Sequence, residues 1–170
     1  TPWNEFKIRS CGKIVDRMQV KIDSEDPQKV VGEIMVKGES VMTGYYKNEA
    51  ATDAIFTEDG WMKTGDLGVI DAQGNIFIRG RNKNMILSGN GQNIYPEELE
   101  DKVNNMPYVI ESVVVSRGDK LVALVYADTA AIKKETTHTP EEIMEMNCAK
   151  VNKLIPRFCK INNFELVESE

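Results

Sequence analysis

The sequence predicts an α+β protein in which a β-rich segment precedes a small α+β domain of strands with about three helices. Three observations predict it. Met18, Val20 and Ile22 alternate with Arg17, Gln19 and Lys21, the period-two pattern of a strand with one wet face. Leu99, Val103 and Met106 recur at helical spacing behind Pro96. Thr139-Pro140-Glu141-Glu142 reads as a capping box with proline at the first helical position.

Taken in order, the first segment continues with a polar turn from Asp23 to Gln28 and a second alternating strand through Ile34 and Val36, closed by Gly38. A glycine-punctuated stretch from Gly44 to Gly68 holds one short helix, Glu49 to Phe56. Val69–Asp71 and Asn75–Arg79 flank Ala72-Gln73-Gly74, a hairpin signal. The pattern changes after Arg81. Pro96 opens a helix, with Glu97 and Glu98 in its first turn favoured by the helix dipole, and Pro107 ends it. Val109–Ser116 and Leu121–Tyr126 are β-rich runs joined by Arg117-Gly118-Asp119-Lys120. A last helix carries Met144, Cys148, Val151 and Ile155 as its apolar stripe and stops at Pro156, and Phe164 to Val167 is a final strand. The expected domains are 1–80, a hinge at 81–83, and 84–170.

Composition excludes several function classes. Of 170 residues, 41 % are hydrophobic and 28 % charged, an ordinary globular balance. With 21 Lys+Arg against 27 Asp+Glu, the net charge of −6 argues against a nucleic-acid binder. No apolar run approaches the roughly 20 residues that span a bilayer. The start, Thr1-Pro2-Trp3-Asn4-Glu5, has no signal-peptide pattern and no initiator Met, so a fragment is expected. Cys11, Cys148 and Cys159 are an odd, widely spaced set, which suits a reducing cytoplasm better than a disulfide framework. With the single His138 they make a poor zinc set, and His138 reads as a solvated loop residue.

A few stretches could carry chemistry. Thr64-Gly65-Asp66 places a hydroxyl, a flexible backbone and a carboxylate within one turn. Asp66 could accept two hydrogen bonds from a vicinal diol, or cap a turn before the strand at Val69. In Ser88-Gly89-Asn90-Gly91-Gln92 the glycines permit close approach of a ligand, or simply turn a hairpin into the following helix. Arg81 and Lys83 at the junction could clamp a ligand or stand solvated. Glu97, Glu98, Glu100 and Asp101 fit a helix first turn and wet face better than a metal site. Asp71-Ala72-Gln73-Gly74-Asn75 lacks the acids of a calcium loop.

Together these stretches resemble one family. Gly32-Glu33-Ile34, Gly44-Tyr45-Tyr46, Trp61 to Leu67, Gly80-Arg81-Asn82-Lys83-Asn84-Met85-Ile86 and Ser88 to Glu100 occur in the order and with the gaps of the adenylate-forming acyl-CoA synthetases. That superfamily also holds luciferases and the adenylation domains of peptide synthetases. The resemblance runs from about Ser10 to the end, and Leu87-Ser88 followed after two intervening residues by Gly91-Gln92-Asn93-Ile94-Tyr95-Pro96-Glu97-Glu98 is closest to long-chain fatty acid CoA ligases.

The resemblance implies a two-step reaction. A carboxylate attacks the α-phosphate of Mg-ATP to give acyl-AMP and pyrophosphate, and the CoA thiol then displaces AMP. It implies that the small C-terminal domain rotates about a hinge between the two steps. Asp66 matches the carboxylate on the ribose hydroxyls and Arg81 the arginine that also contacts the ribose, with Thr64 in the same nucleotide-binding set. Lys83 matches the hinge position. Gly89, Asn90, Gly91 and Gln92 match the loop that faces CoA or pantetheine in the thioester-forming pose.

The phosphate loop, the acyl pocket and the adenylation lysine have no counterpart. That lysine is expected beyond Glu170, and Lys160 lies too early in the pattern to be it. The chain is thus expected to be an inactive C-terminal piece of a longer ligase. ATP, Mg2+ and CoA then serve the parent, and no metal site lies in the piece itself. Peripheral membrane attachment of the parent stays open, because long-chain substrates partition into bilayers. Two other readings stay open as well: an adenylation domain that loads a carrier protein, and a non-catalytic binding module of the same fold.

Overall fold

A computed structural model describes residues 7–168. The expectations about the start at Thr1–Glu5 and the final residue Glu170 lie outside the described residues. Contacts within the chain divide it into two compact units, one ending at Lys83 and one beginning at Asn84.

The first unit is built on a five-stranded antiparallel sheet in the order β1-β5-β4-β3-β2. Its strands are β1 (Gly12–Lys13), β2 (Met18–Asp23), β3 (Gly32–Gly38), β4 (Met62–Ile70) and β5 (Asn75–Arg81). The alternation in β2 and β3 puts Ile22 and Ile34 opposite one another, and both are buried. The hairpin at Ala72-Gln73-Gly74 forms as expected. Asp71 closes it by accepting the N–H groups of Gln73 and Asn75, each at 2.9 Å, an Asx-type turn rather than a cation loop. Lys7 Nζ lies 2.6 Å from Asp71 Oδ2, and this contact, with the turn bonds, holds the carboxyl well below the usual carboxylate range.

The short helix α1 spans Glu49–Ile55, one residue shorter than expected. Asn48 caps it by accepting the Ala51 N–H at 3.0 Å. Against expectation, Thr64-Gly65-Asp66 is not a turn before a strand. All three lie inside β4, which begins at Met62.

The second unit opens with a two-stranded hairpin, β6 (Ile86–Leu87) and β7 (Asn93–Ile94). Helix α2 (Pro96–Asn104) follows, then the antiparallel pair β8 (Val109–Arg117) and β9 (Lys120–Ala127). Helices α3 (Thr129–Glu135) and α4 (Pro140–Val151) lead to β10 (Ile161–Leu166), which joins the far edge of β9 in parallel. Val103, Val125, Ile132, Val151 and Ile161 are completely buried in one core that also contains Leu99 and Met144. The capping box of α4 is present in both directions, Thr139 with Glu142. His138 is exposed, with Nδ1 3.2 Å from Glu142 Oε2.

Three element ends differ from expectation. Helix α2 stops at Asn104, before Pro107, because Asn105 turns its own amide back onto the Asp101 carbonyl. Met106 therefore leaves the helix but still packs on the core. Helix α4 stops at Val151, not near Ile155. The amide of Asn152 bonds both backbone groups of Ile161, accepting at 2.9 Å and donating at 2.8 Å. That exchange also starts β10 three residues earlier than expected. The sequence assigns no residues to helix α3, although about three helices are expected: it buries only Ile132, too little for a periodic signal, and rests on the Asp128 cap.

Candidate functional site

In the first unit, two irregularities of the sheet bring Asp66 and Arg81 together. Between β3 and β4 the register runs Glu33↔Leu67 and then Met35↔Lys63, so β4 carries two extra residues opposite Ile34. Between β4 and β5 it runs Leu67↔Gly80 and then Gly68↔Ile78, so β5 bulges at Arg79. Bulges re-aim side chains that a regular pleat would place elsewhere. The result here is that Asp66 and Arg81 are direct cross-strand partners, with Arg81 Nε 3.0 Å from Asp66 Oδ1. The Asp66 side chain is 28 % exposed and that of Arg81 65 %, so the pair is partly open to solvent.

The bulge in β4 is closed by hydrogen bonds. Gly65 takes φ +77°, a left-handed conformation that glycine adopts without strain. Thr64 Oγ1 donates to the Ile34 carbonyl at 2.8 Å and accepts from the Asp66 N–H at 3.1 Å. Glu33 Oε1 accepts the Gly65 N–H at 3.1 Å. The Thr64 hydroxyl is thus engaged in shaping the bulge. In the sequence Glu33 stands out only as part of Gly32-Glu33-Ile34. The signal for it was a lone carboxylate beside the apolar Ile34-Met35 pair.

Lys83 is exposed in a single 3-10 turn, Asn82–Asn84, that follows β5, and Arg81 is the last residue of β5 itself.

In the second unit, Gly89, Asn90, Gly91 and Gln92 form the tip of the β6–β7 hairpin, and all four are exposed. Ser88 organises the tip. Its hydroxyl donates to the Gln92 carbonyl at 2.8 Å and accepts the Gln92 N–H at 2.9 Å, and it also meets the Asn90 amide oxygen. Asn90 Nδ2 donates to Gln92 Oε1 at 3.1 Å. Gly91 has φ +79°, so the turn itself requires glycine there. Gly89 has no such requirement, and a Cβ built on it would meet nothing within 4 Å.

The acidic cluster serves α2. Glu97 and Glu98 lie in its first turn, and Glu97 Oε1 accepts from Asn84 Nδ2 at 2.8 Å. Glu100 Oε1 accepts the Val114 N–H at 2.8 Å, tying α2 to β8. Burial pushes the Glu100 carboxyl above its ordinary range against that bond. Cys148 and Cys159 are buried, and burial pushes both thiols up, which leaves them poor nucleophiles. Among the described residues no group of three or more His, Cys, Asp or Glu is placed to hold a metal ion, and no helix is long and apolar enough to cross a membrane.

No family model matches the chain. Individual proteins do. A 2-succinylbenzoate–CoA ligase of Bacillus cytotoxicus is 38 % identical over 144 residues, 80 % of this chain and 30 % of that protein. The long-chain-fatty-acid–CoA ligase FadD15 of Mycobacterium tuberculosis is 38 % identical over 132 residues, 77 % of this chain and 21 % of that protein. Among solved structures, the o-succinylbenzoate CoA synthetase of Bacillus subtilis in complex with its acyl-adenylate matches with a TM-score of 0.79 and 29 % identity. That match covers 96 % of this chain and 33 % of that one. The chain therefore spans between a fifth and a third of the length of these relatives.

Proposed function

We propose that this chain, which matches the C-terminal part of the adenylate-forming enzymes, supplies the ribose contacts and the CoA-facing loop of an ATP-dependent acid–CoA ligase. In the first step an oxygen of the substrate carboxylate attacks the α-phosphorus of ATP and the bond to the β-phosphate breaks. Acyl-AMP and pyrophosphate result. In the second step the CoA sulfur attacks the acyl carbon, AMP leaves, and the thiol proton is lost to solvent.

The observation that carries the reading is the Asp66–Arg81 pair. A carboxylate that can accept from two neighbouring hydroxyls, beside a guanidinium that donates only, suits a vicinal diol. The two sit on adjacent strands with their contact at 3.0 Å, partly open to solvent. Thr64 belongs to this site through the Asp66 N–H that it accepts. Lys83 is proposed as the hinge position, and residues 89–92 as the loop beside the pantetheine arm. Mg2+ would come with ATP and be held by the remainder of the parent. The chain alone is proposed to be inactive, in the reducing cytoplasm that its free cysteines suit.

The acid is proposed as a long-chain fatty acid, on the Gln92-Asn93-Ile94-Tyr95-Pro96 motif and the FadD15 relative. A 2-succinylbenzoate ligase is equally identical, so the test must span acid types. That test is acid-dependent ATP–pyrophosphate exchange by the complete product of the gene encoding this chain, from acetate to palmitate and with 2-succinylbenzoate, with CoA consumption followed in parallel. Exchange and thioester formation with palmitate are expected. Exchange without CoA use would move the acceptor to a carrier protein, and no exchange with any acid would leave a binding module.

A further inference from the structure

Glu33 stands where the sheet alone gives no reason for a carboxylate. It is half-buried in β3, next to buried Ile34 and Met35. The register sets it directly opposite Asp23 of β2. Like charges facing each other across an antiparallel pair destabilise the sheet. On its other side Glu33 pairs with Leu67, at the edge of the β4 bulge. There its Oε1 accepts the Gly65 N–H at 3.1 Å. Because β4 has two extra residues at this point, that N–H has left the β3 ladder, and the Glu33 side chain takes the place of a backbone carbonyl.

We propose that Glu33 is a positioning residue for nucleotide binding: by holding the Gly65 amide it sets the bulge, and through it the direction in which Asp66 presents its carboxylate. This rests on the reading that Asp66 takes the ribose hydroxyls. Glu33 and Thr64 both tie the bulge to β3. Glu33 anchors its middle residue, while Thr64 ties the Ile34 carbonyl to the Asp66 N–H. The Asp66 carboxylate leaves this scaffold one residue after the Gly65 anchor and meets Arg81. A shift of the anchor would turn the carboxylate away from the diol and leave the adenine and phosphate contacts of the nucleotide as they were.

The test uses the complete gene product and two ligands, AMP and 2′,3′-dideoxy-AMP, which differ only in the diol. Affinities are measured by calorimetry for the wild type, Glu33→Ala, Glu33→Gln and Asp66→Asn. Glu33→Ala is expected to weaken AMP about fivefold, the loss of one hydrogen bond, and to leave dideoxy-AMP unchanged. Glu33→Gln retains an acceptor oxygen at the same reach and should stay within about twofold of wild type for both. Equal weakening of the two ligands by Glu33→Ala would mean a general structural defect and would overturn the proposal, as would no change at all. A wild type that does not prefer AMP, or an Asp66→Asn variant that keeps the preference, would instead overturn the ribose reading and take this inference with it.

Discussion

Arg81 meets Asp66 twice, as its register partner across β4 and β5 and through an Nε–Oδ1 contact of 3.0 Å. The Arg81 side chain is 65 % exposed, and exposed ion pairs contribute only about 0–1 kcal/mol to stability. The pair is therefore a weak reason for the fold and a better one for a ligand. Arg81→Ala is expected to leave the melting temperature within about 3 °C of wild type. It should weaken AMP binding to the complete protein about tenfold, the loss of a charge-assisted contact. Thermal melts and nucleotide titrations of the same preparations check it. A large drop in melting temperature with unchanged affinity would assign the pair to stability instead.

The two glycines of the β6–β7 tip separate a demand of the fold from a demand of a ligand. Gly91 lies at φ +79°, so Gly91→Ala is expected to cost about 1 kcal/mol of stability. Gly89 lies outside the left-handed region and has open space where a Cβ would sit, so Gly89→Ala should be near neutral in a denaturant melt. If the tip lies beside pantetheine, Gly89→Ala still lowers the thioester-forming rate in the complete protein while pyrophosphate exchange is kept. Equal loss of both half-reactions would remove the tip from the CoA path.

The parts of the fold legible in the sequence were those set by local rules. The turn at Ala72-Gln73-Gly74, the box at Thr139–Glu142 and the hairpin through Gly118-Asp119 each announce themselves within a few residues, and each forms. What was not legible depends on partners far along the chain. The β4 bulge breaks period two at Thr64-Gly65-Asp66, and its register shift depends on Ile34 and Glu33, some thirty residues earlier, as the Thr64–Ile34 separation of 30 shows. For the same reason the sequence marks Asp66 and Arg81 separately, while their contact depends on the register of β4 and β5. Glu33 carries no local signal beyond its charge next to Ile34 and Met35.

Glu100 gives a pH dependence. Burial raises its carboxyl above the ordinary value, so the folded state binds the proton more tightly than the unfolded chain does. The cost of holding it ionised is absent below the ordinary value of 4.5 and complete once the pH exceeds the raised folded value. Stability thus falls as pH rises through that window. Glu97 on the same helix adds to the rise, and the Val114 N–H opposes it. Glu100→Gln keeps an acceptor for that N–H and is expected to raise the melting temperature at pH 7 but not at pH 4. A gain of the same size at both values would contradict the linkage.

Asn152 ends α4 and begins β10 with a single side chain. Its amide exchanges two hydrogen bonds with the Ile161 backbone, and the Ile161 side chain is completely buried. Asn152→Ala would leave the Ile161 N–H without this partner and its carbonyl with the weak Cys148 thiol donor, a cost of about 1–2 kcal/mol. Asn152→Asp keeps the acceptor for the Ile161 N–H and turns the other contact into repulsion between two oxygens, so it should fall no nearer to wild type than alanine does. Because β10 lies in the second unit and the Asp66–Arg81 pair in the first, the loss should appear in denaturant midpoints and in faster amide exchange along Ile161–Leu166. AMP affinity should hold wherever the protein stays folded. Fast exchange confined to the end of α4, with β10 still protected, would show that the strand is held by its β9 ladder alone and that Asn152 only ends the helix.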